Sequence, residues 1–488
     1  GAKDKENLGS VLKNADKAED LKEVVSVASE IGAKDATNLG SVLQNADKAD
    51  SLNKVMKVAK ESLGSSGEDG EKKLDSSSLS ILSNTLQNAD KADSLAEVVE
   101  VAGEIGAQNA ENLTSVFQNA DKADDLKEVV AVAAEIGAKD AANLGSVLQN
   151  ADKADSLNKV MKVAKESLGT ANAEGEKKLD SSSLNILSNT LQNADKADSL
   201  AEVMEVAAEA GAQSAENLTS VFENADKADD LKEVVKKAAG AGASGSLGGI
   251  LQKADRATDF KKVTDQLDKV SLEGGALDVF EKIETVADVF VAVAGDDEVD
   301  QDFAKNILGN TDAVEDIKEA VELVKEKGGV SDSQALMDFA KKDVTELKAI
   351  NKVAEKLGDS EDALTAFVSE GIDQALQLDH AFAAGDLDVD DLAGNIVSGG
   401  SFTEVVGASA LNNLEKKYSG NEDYLEIISL NSARAQDISF ALSFVDAGSE
   451  QEAALLANVD KIDAIMSLSN KFQDNEETLS IIFNNLDV

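Results

Sequence analysis

The ten residues LQNADKADSL stand unchanged at Leu43, Leu148 and Leu191, and return as TLQNADKADSL at Thr85. A catalytic site is usually written once, so a phrase written four times speaks first about architecture. Aligned by its asparagine, NADKA recurs at Asn14, Asn45, Asn88, Asn119, Asn150, Asn193 and Asn224, with spacings of 31, 43, 31, 31, 43 and 31 residues. The repeat is 31 residues, enlarged by 12 in one of every three copies, and the higher period is 105. Residues 45–118 and 150–223 differ at only 11 of 74 positions, the mark of a tandem duplication. Five of those differences fill positions 65–69 of the enlargement, which therefore reads as a loop tip free of chemistry.

The period outlasts the words. LQKADRATDF places Lys253 where asparagine stood, and segments beginning at Asn310, Asn395, Asn431 and Asn458 keep an apolar residue seven positions on. Looser matches fall at Lys282, Ala340 and Ser369, so the whole chain reads as about fifteen repeats of one kind. Three regions are expected: 1–236, with near-identical repeats; 237–250, a glycine-rich repeat helix and possible bend; and 251–488, with degenerate repeats of the same array.

Within a repeat the apolar spacing is helical. Leu113, Val116, Phe117 and Ala120 follow i, i+3, i+4, i+7, and a second stripe follows at Leu126, Val129, Val130 and Ala133. Between the stripes, Asn119 suits the left-handed residue that ends a helix, while Asp121 with Asp124 three residues on has the spacing of a capping box. Asn150, Asp152 and Asp155 repeat that arrangement. NADKA is thus the turn of a helical hairpin, and Gly137 closes the second helix. One hairpin with helices of about 10 and 14 residues cannot bury its apolar faces alone, so stacking is required. The expected fold is all-α, an α-solenoid held by nearest-neighbour contacts. In general architecture it resembles tetratricopeptide and HEAT arrays, although the Trp, Tyr and Pro positions of the tetratricopeptide pattern are missing.

Composition agrees with helices and narrows the partners. The 488 residues include no Pro, Cys or Trp, and Pro is the residue that breaks helices. Without cysteine there is no disulfide framework and no thiol nucleophile. Against 94 acidic residues stand 47 basic ones, a formal charge of −47, and only Arg256 and Arg434 are arginine. Such a surface repels nucleic-acid phosphate and anionic lipid, and suits a cation-rich medium. No apolar run approaches the ~18 residues of a membrane span.

Few residues invite chemistry. His380 is the only histidine, with no nucleophile signature to serve. Asp386, Asp388 and Asp390 have the alternate spacing of a Ca²⁺ loop, but Asp391 replaces the turn glycine and Val397 the bidentate glutamate. They are the candidate metal ligands, with Ca²⁺ as the candidate ion; no other cofactor is implied. A second acidic cluster, Asp296, Asp297, Glu298, Asp300 and Asp302, precedes a helical stripe. The sequons at Asn112 and Asn217 fall inside expected helices and read as accidental.

Two functions from different classes fit. One is a structural protein of an extracellular or cell-surface filament, sheath or surface layer. The other is an acidic scaffold for a peptide or basic protein, which should carry aromatic and arginine anchors that are sparse here. The structural reading is preferred, and it makes an expectation about assembly. The first repeat begins on its first helix, leaving Leu8, Val11 and Leu12 without a preceding repeat, while Leu479, Ile482 and Phe483 have no second helix to cover them. Two complementary uncapped faces make a heterologous contact, hence a homopolymer, with divalent cations as helpers.

Overall fold

The fold is taken from a computed structural model, which describes all residues except 1–4, 31–35, 67–71, 136–140, 172–176, 271, 273–274, 296, 359, 385–386, 388, 390–391, 393, 395–401, 443–444, 463 and 465–488. The described residues are overwhelmingly helical, and the chain divides into two compact units, Gly1–Lys261 and Lys262–Val488.

In the N-terminal unit the helices alternate short and long. The short, first helices are α1 (Lys5–Lys13), α3 (Ala36–Gln44), α5 (Ser76–Gln87), α7 (Ala110–Gln118), α9 (Ala141–Gln149), α11 (Ser181–Gln192), α13 (Ala215–Glu223) and α15 (Leu247–Gln252). The long, second helices are α2 (Ala18–Glu30), α4 (Ala49–Leu63), α6 (Ala92–Ile105), α8 (Ala123–Glu135), α10 (Ala154–Leu168), α12 (Ala197–Glu209) and α14 (Ala228–Gly240). Each first helix packs on the next first helix, α1 on α3 through to α13 on α15, and each second helix on the next second helix, α2 on α4 through to α12 on α14.

Both apolar stripes point into this packing. Leu113, Val116, Phe117, Val129 and Ala133 are fully buried, with Leu126 and Val130 nearly so. Fully burying such side chains stabilises by roughly 1.5–3 kcal/mol each. The glycine-rich stretch keeps register: Gly242 takes φ +81° to end α14, and Leu247, Ile250 and Leu251 of α15 are buried like their equivalents Leu144, Val147 and Leu148. Gly137 lies outside the described residues, but its equivalents Gly106 and Gly211 have φ of +79° and +68° after α6 and α12. The 12-residue enlargements are not plain loops at their base. Ser65–Ser66 pairs antiparallel with Lys72–Lys73, and Thr170–Ala171 with Lys177–Lys178.

The C-terminal unit uses the same helical hairpins less regularly. Helices Ile283–Ala294, Val314–Lys327, Val344–Leu357 and Ala375–Ala384 pack each on the next. Its core is more aromatic, with Phe280, Phe290, Phe303 and Phe367 almost fully buried and Phe290 lying 5.3 Å from Phe303.

Candidate interaction surfaces

The repeated turn is a joint between repeats. Asn119 does not take the left-handed conformation expected of it; its φ and ψ are −112° and 37°. Among the described residues no non-glycine residue has a positive φ. Instead Asn119 binds twice to one carbonyl: its backbone N–H and its Nδ2 both donate to Ser115 O, at 3.1 and 2.9 Å. Asn150 does the same to Ser146 O. Such bonds occupy a carbonyl of the last helical turn, which would otherwise lack a partner.

The capping role expected of Asp121 and Asp152 is also corrected. Ala120–Lys122 and Ala151–Lys153 form a 3₁₀ turn that runs straight into the second helix. Lys122 N–H donates to Asn119 O at 3.0 Å and Ala123 N–H to Ala120 O, so the leading amides already have acceptors. The residue before α10 is Lys153, without a side-chain cap. Asp121 and Asp152 stay at the exposed surface. True caps sit at the starts of first helices, where the chain enters from a loop: Asp75 accepts from Ser78 N–H, Asn109 from Asn112 N–H and Ser214 from Asn217 N–H.

Asp124 and Asp155 close no capping box; they receive lysines from the preceding repeat. Lys91 Nζ lies 2.5 Å from Asp124 and Lys122 Nζ 3.0 Å from Asp155, as Lys17 lies 2.6 Å from Asp50 and Lys196 2.7 Å from Asp229. The Lys91 ammonium, with the Ser94 hydroxyl, holds the Asp124 carboxyl below the usual carboxylate range. Lys122 does the same for Asp155. A second row runs between first helices. Ser10, Ser41, Ser115 and Ser146 hydroxyls donate to the carbonyls of Gln44, Gln87, Gln149 and Gln192 at 2.8–3.0 Å. Where asparagine replaces that serine, Asn84 and Asn189 reach Gln118 O and Glu223 O.

Alanine lets the joint close. Ala46, Ala89, Ala120, Ala151, Ala194 and Ala225, and the second alanine of each same turn, are fully buried. The first of these alanines belongs to the apolar stripe of the first helix, as Ala120 does, and the second, Ala123 and its equivalents, extends the packing through the turn.

The remaining candidates scatter. Asp386, Asp388 and Asp390 lie outside the described residues, as do Leu479, Ile482 and Phe483. Among the described residues no cluster of metal-ligating side chains is present, and no helix is long and apolar enough to cross a membrane. In the second acidic cluster Asp300 caps the helix Gln301–Gly309 and Asp297 accepts from Ser333 Oγ at 2.5 Å. His380 is on the helix Ala375–Ala384. The sequon residues Asn112 and Asn217 are 1% and 5% exposed, which leaves no room for a glycan. Leu8 and Leu12, by contrast, are 54% and 75% exposed, while Val11 is half-buried.

One polar tie had no signal in the repeat. Glu452, 4% exposed at its side chain, accepts from Tyr418 Oη and, at 2.6 Å, from Gly448 N–H, with Lys417 Nζ 3.3 Å away. Burial pushes the Glu452 carboxyl up, but the Tyr418 hydroxyl, the Gly448 amide and the Lys417 ammonium outweigh it and hold the group below its ordinary value.

Compared with protein-family models, curated proteins and solved structures, the chain matches none.

Proposed function

We propose that the chain is a structural, non-catalytic α-solenoid of about fifteen helical hairpins, building an extracellular filament, sheath or surface-layer-like polymer by end-to-end association. The observation that supports this is how the repeated polar side chains are used. In the turns Asn119, Lys122, Asp124 and Ser115, with their equivalents, bind within the joint or to the neighbouring repeat. Tandem duplication then lengthens such an array without disturbing a site. The carboxylate excess supports a cation-rich surroundings, where ions screen repulsion between copies.

The face proposed for association is that of Leu8 and Leu12. Their equivalents in a later repeat, Leu113 and Phe117, are fully buried on a helix that packs against α4, α5 and α9. The occupant is a repeat of a second copy, stacked as repeats stack within the chain. Sedimentation velocity of the 488-residue chain in Ca²⁺-containing buffer tests this. The chain should grow into larger species with concentration, whereas Leu8→Asp combined with Leu12→Asp should stay monomeric with unchanged helical circular dichroism. A chain that is monomeric at every concentration overturns the polymer reading.

A further inference from the structure

The formal charge of −47 is shared unequally between the two units. Residues 1–261 hold 30 basic and 46 acidic residues, a charge of −16, whereas 262–488 hold 17 and 48, a charge of −31. The imbalance is densest over 357–415, where twelve carboxylates stand in 59 residues without a Lys or Arg. Three of the twelve take a lysine from earlier in the chain: Lys327 lies 2.6 Å from Glu361, Lys342 3.1 Å from Asp373 and Lys352 3.4 Å from Asp379. Exposed pairs of this kind contribute little to stability. Self-repulsion grows with the square of the charge, so for units of similar length it is about fourfold greater in the C-terminal one.

The N-terminal unit also meets its smaller charge with attraction at a fixed register, since Lys17, Lys91, Lys122 and Lys196 each hold a carboxylate of the next repeat. Salt screens repulsion and attraction alike, so the two effects offset each other there. In the C-terminal unit relief of repulsion dominates. We propose that ionic strength gates the C-terminal unit: it loosens in dilute medium and closes in a saline one, while the N-terminal unit stays folded in both. The screening length falls from about 30 Å at 0.01 M salt to about 3 Å at 1 M. Packed helices have axes ~8–10 Å apart, so carboxylates on neighbouring helices repel at the first concentration and are screened at the second. The device is screening, and it needs no ion held at a fixed place. A chain made in dilute medium then completes its C-terminal unit on reaching a saline one. This inference does not depend on end-to-end association.

The test is hydrogen exchange of the 488-residue chain, read by mass spectrometry on peptides of both units in the same sample. Between about 0.01 M and about 1 M NaCl, protection of the helices Ile283–Ala294, Val314–Lys327 and Val344–Leu357 should rise about tenfold or more relative to α6, α8 and α10. Tetramethylammonium chloride should act as NaCl does at equal concentration. Glu319→Lys, Glu355→Lys, Glu415→Lys and Glu426→Lys combined replace four exposed helical carboxylates and bring the unit from −31 to −23. The square of the charge is then nearly halved, so a tenfold rise should shrink to about threefold. Circular dichroism in the more saline buffer checks that this variant folds. An equal response of the two units would show that their difference in charge has no consequence. A rise with sodium but not with tetramethylammonium would mean ion binding at particular sites, and an undiminished rise in the fourfold variant would mean a salt effect on apolar packing. Each of these three results overturns the proposal.

Discussion

The N-terminal and C-terminal units solve one problem, fastening one hairpin to the next, with different materials. In the first the fastening is polar and repeated: buried alanines bring the turns together, and lysine, aspartate, serine and asparagine cross from repeat to repeat. In the second, polar crossings such as Lys318–Asp288 and Lys342–Asp373 persist without one repeated register, and aromatic packing is added to them. Of 14 phenylalanines, 11 fall within 262–488, and large side chains such as Phe290 and Phe303 fill the space between helices. One feature survives in both. Asn310, Asn431 and Asn458 each donate through Nδ2 to the carbonyl four residues back, at 2.7–2.9 Å, and each is followed by a 3₁₀ turn. The turn into a short 3₁₀ segment recurs in both units, with asparagine at most of its starts and Lys253 at one, whereas the Lys–Asp crossing at fixed offsets belongs to the N-terminal unit.

The contrast can be broken at several points. The largest effect is expected in the aromatic core: Phe303→Ala should cost about 3–5 kcal/mol, with amide exchange accelerated across the C-terminal unit. An effect confined to a single hairpin there would mean that this unit is as loosely coupled as a repeat array. Next, Ala151→Leu should cost about 1–3 kcal/mol by overpacking the joint, with weakened exchange protection in α8 to α11 and little beyond. Asn109→Ala, which removes a true cap, should cost about 0.5–2 kcal/mol. Asp152→Ala should stay within about 0.5 kcal/mol, since its carboxylate caps nothing; a loss as large as that of Asn109→Ala would restore the capping role.

A pH titration sharpens the same comparison. The folded Glu452 carboxyl is held below its unfolded value of about 4.3. Its tie to Tyr418 therefore stabilises fully above that value and is lost as pH falls through the folded value. With Tyr418 and Tyr424 the only tyrosines and no tryptophan, near-ultraviolet tyrosine circular dichroism should report this step. Glu452→Gln should abolish it. A transition that persists in this variant would place the titrating group elsewhere.

Hairpins, stripes and turn positions were legible because apolar spacing and repeated words are local signals. The mechanics of the turn were not. Asparagine before a helix start is compatible with a left-handed stop and with an α-to-3₁₀ continuation, and the difference lies in which amides already have acceptors, as Lys122 and Ala123 do. The Lys–Asp crossings could have been read from the constant three- and five-residue offsets after the asparagine. The Tyr418–Glu452 tie could not, since it joins residues 34 apart in a region without repetition. Of the proposed association faces, Leu8 and Leu12 are exposed while the partner residues lie outside the described part of the chain.

The central claim, that the N-terminal unit is a modular array joined only to nearest neighbours, is tested most directly by excising residues 45–149. Gln44 then meets Asn150, and the new junction again reads LQNADKADSL. Contour lengths of single negatively stained molecules, with circular dichroism alongside, should show a folded chain that is shorter by three repeats and unchanged in width. A chain that unfolds, or that keeps its length while losing width, would contradict the account.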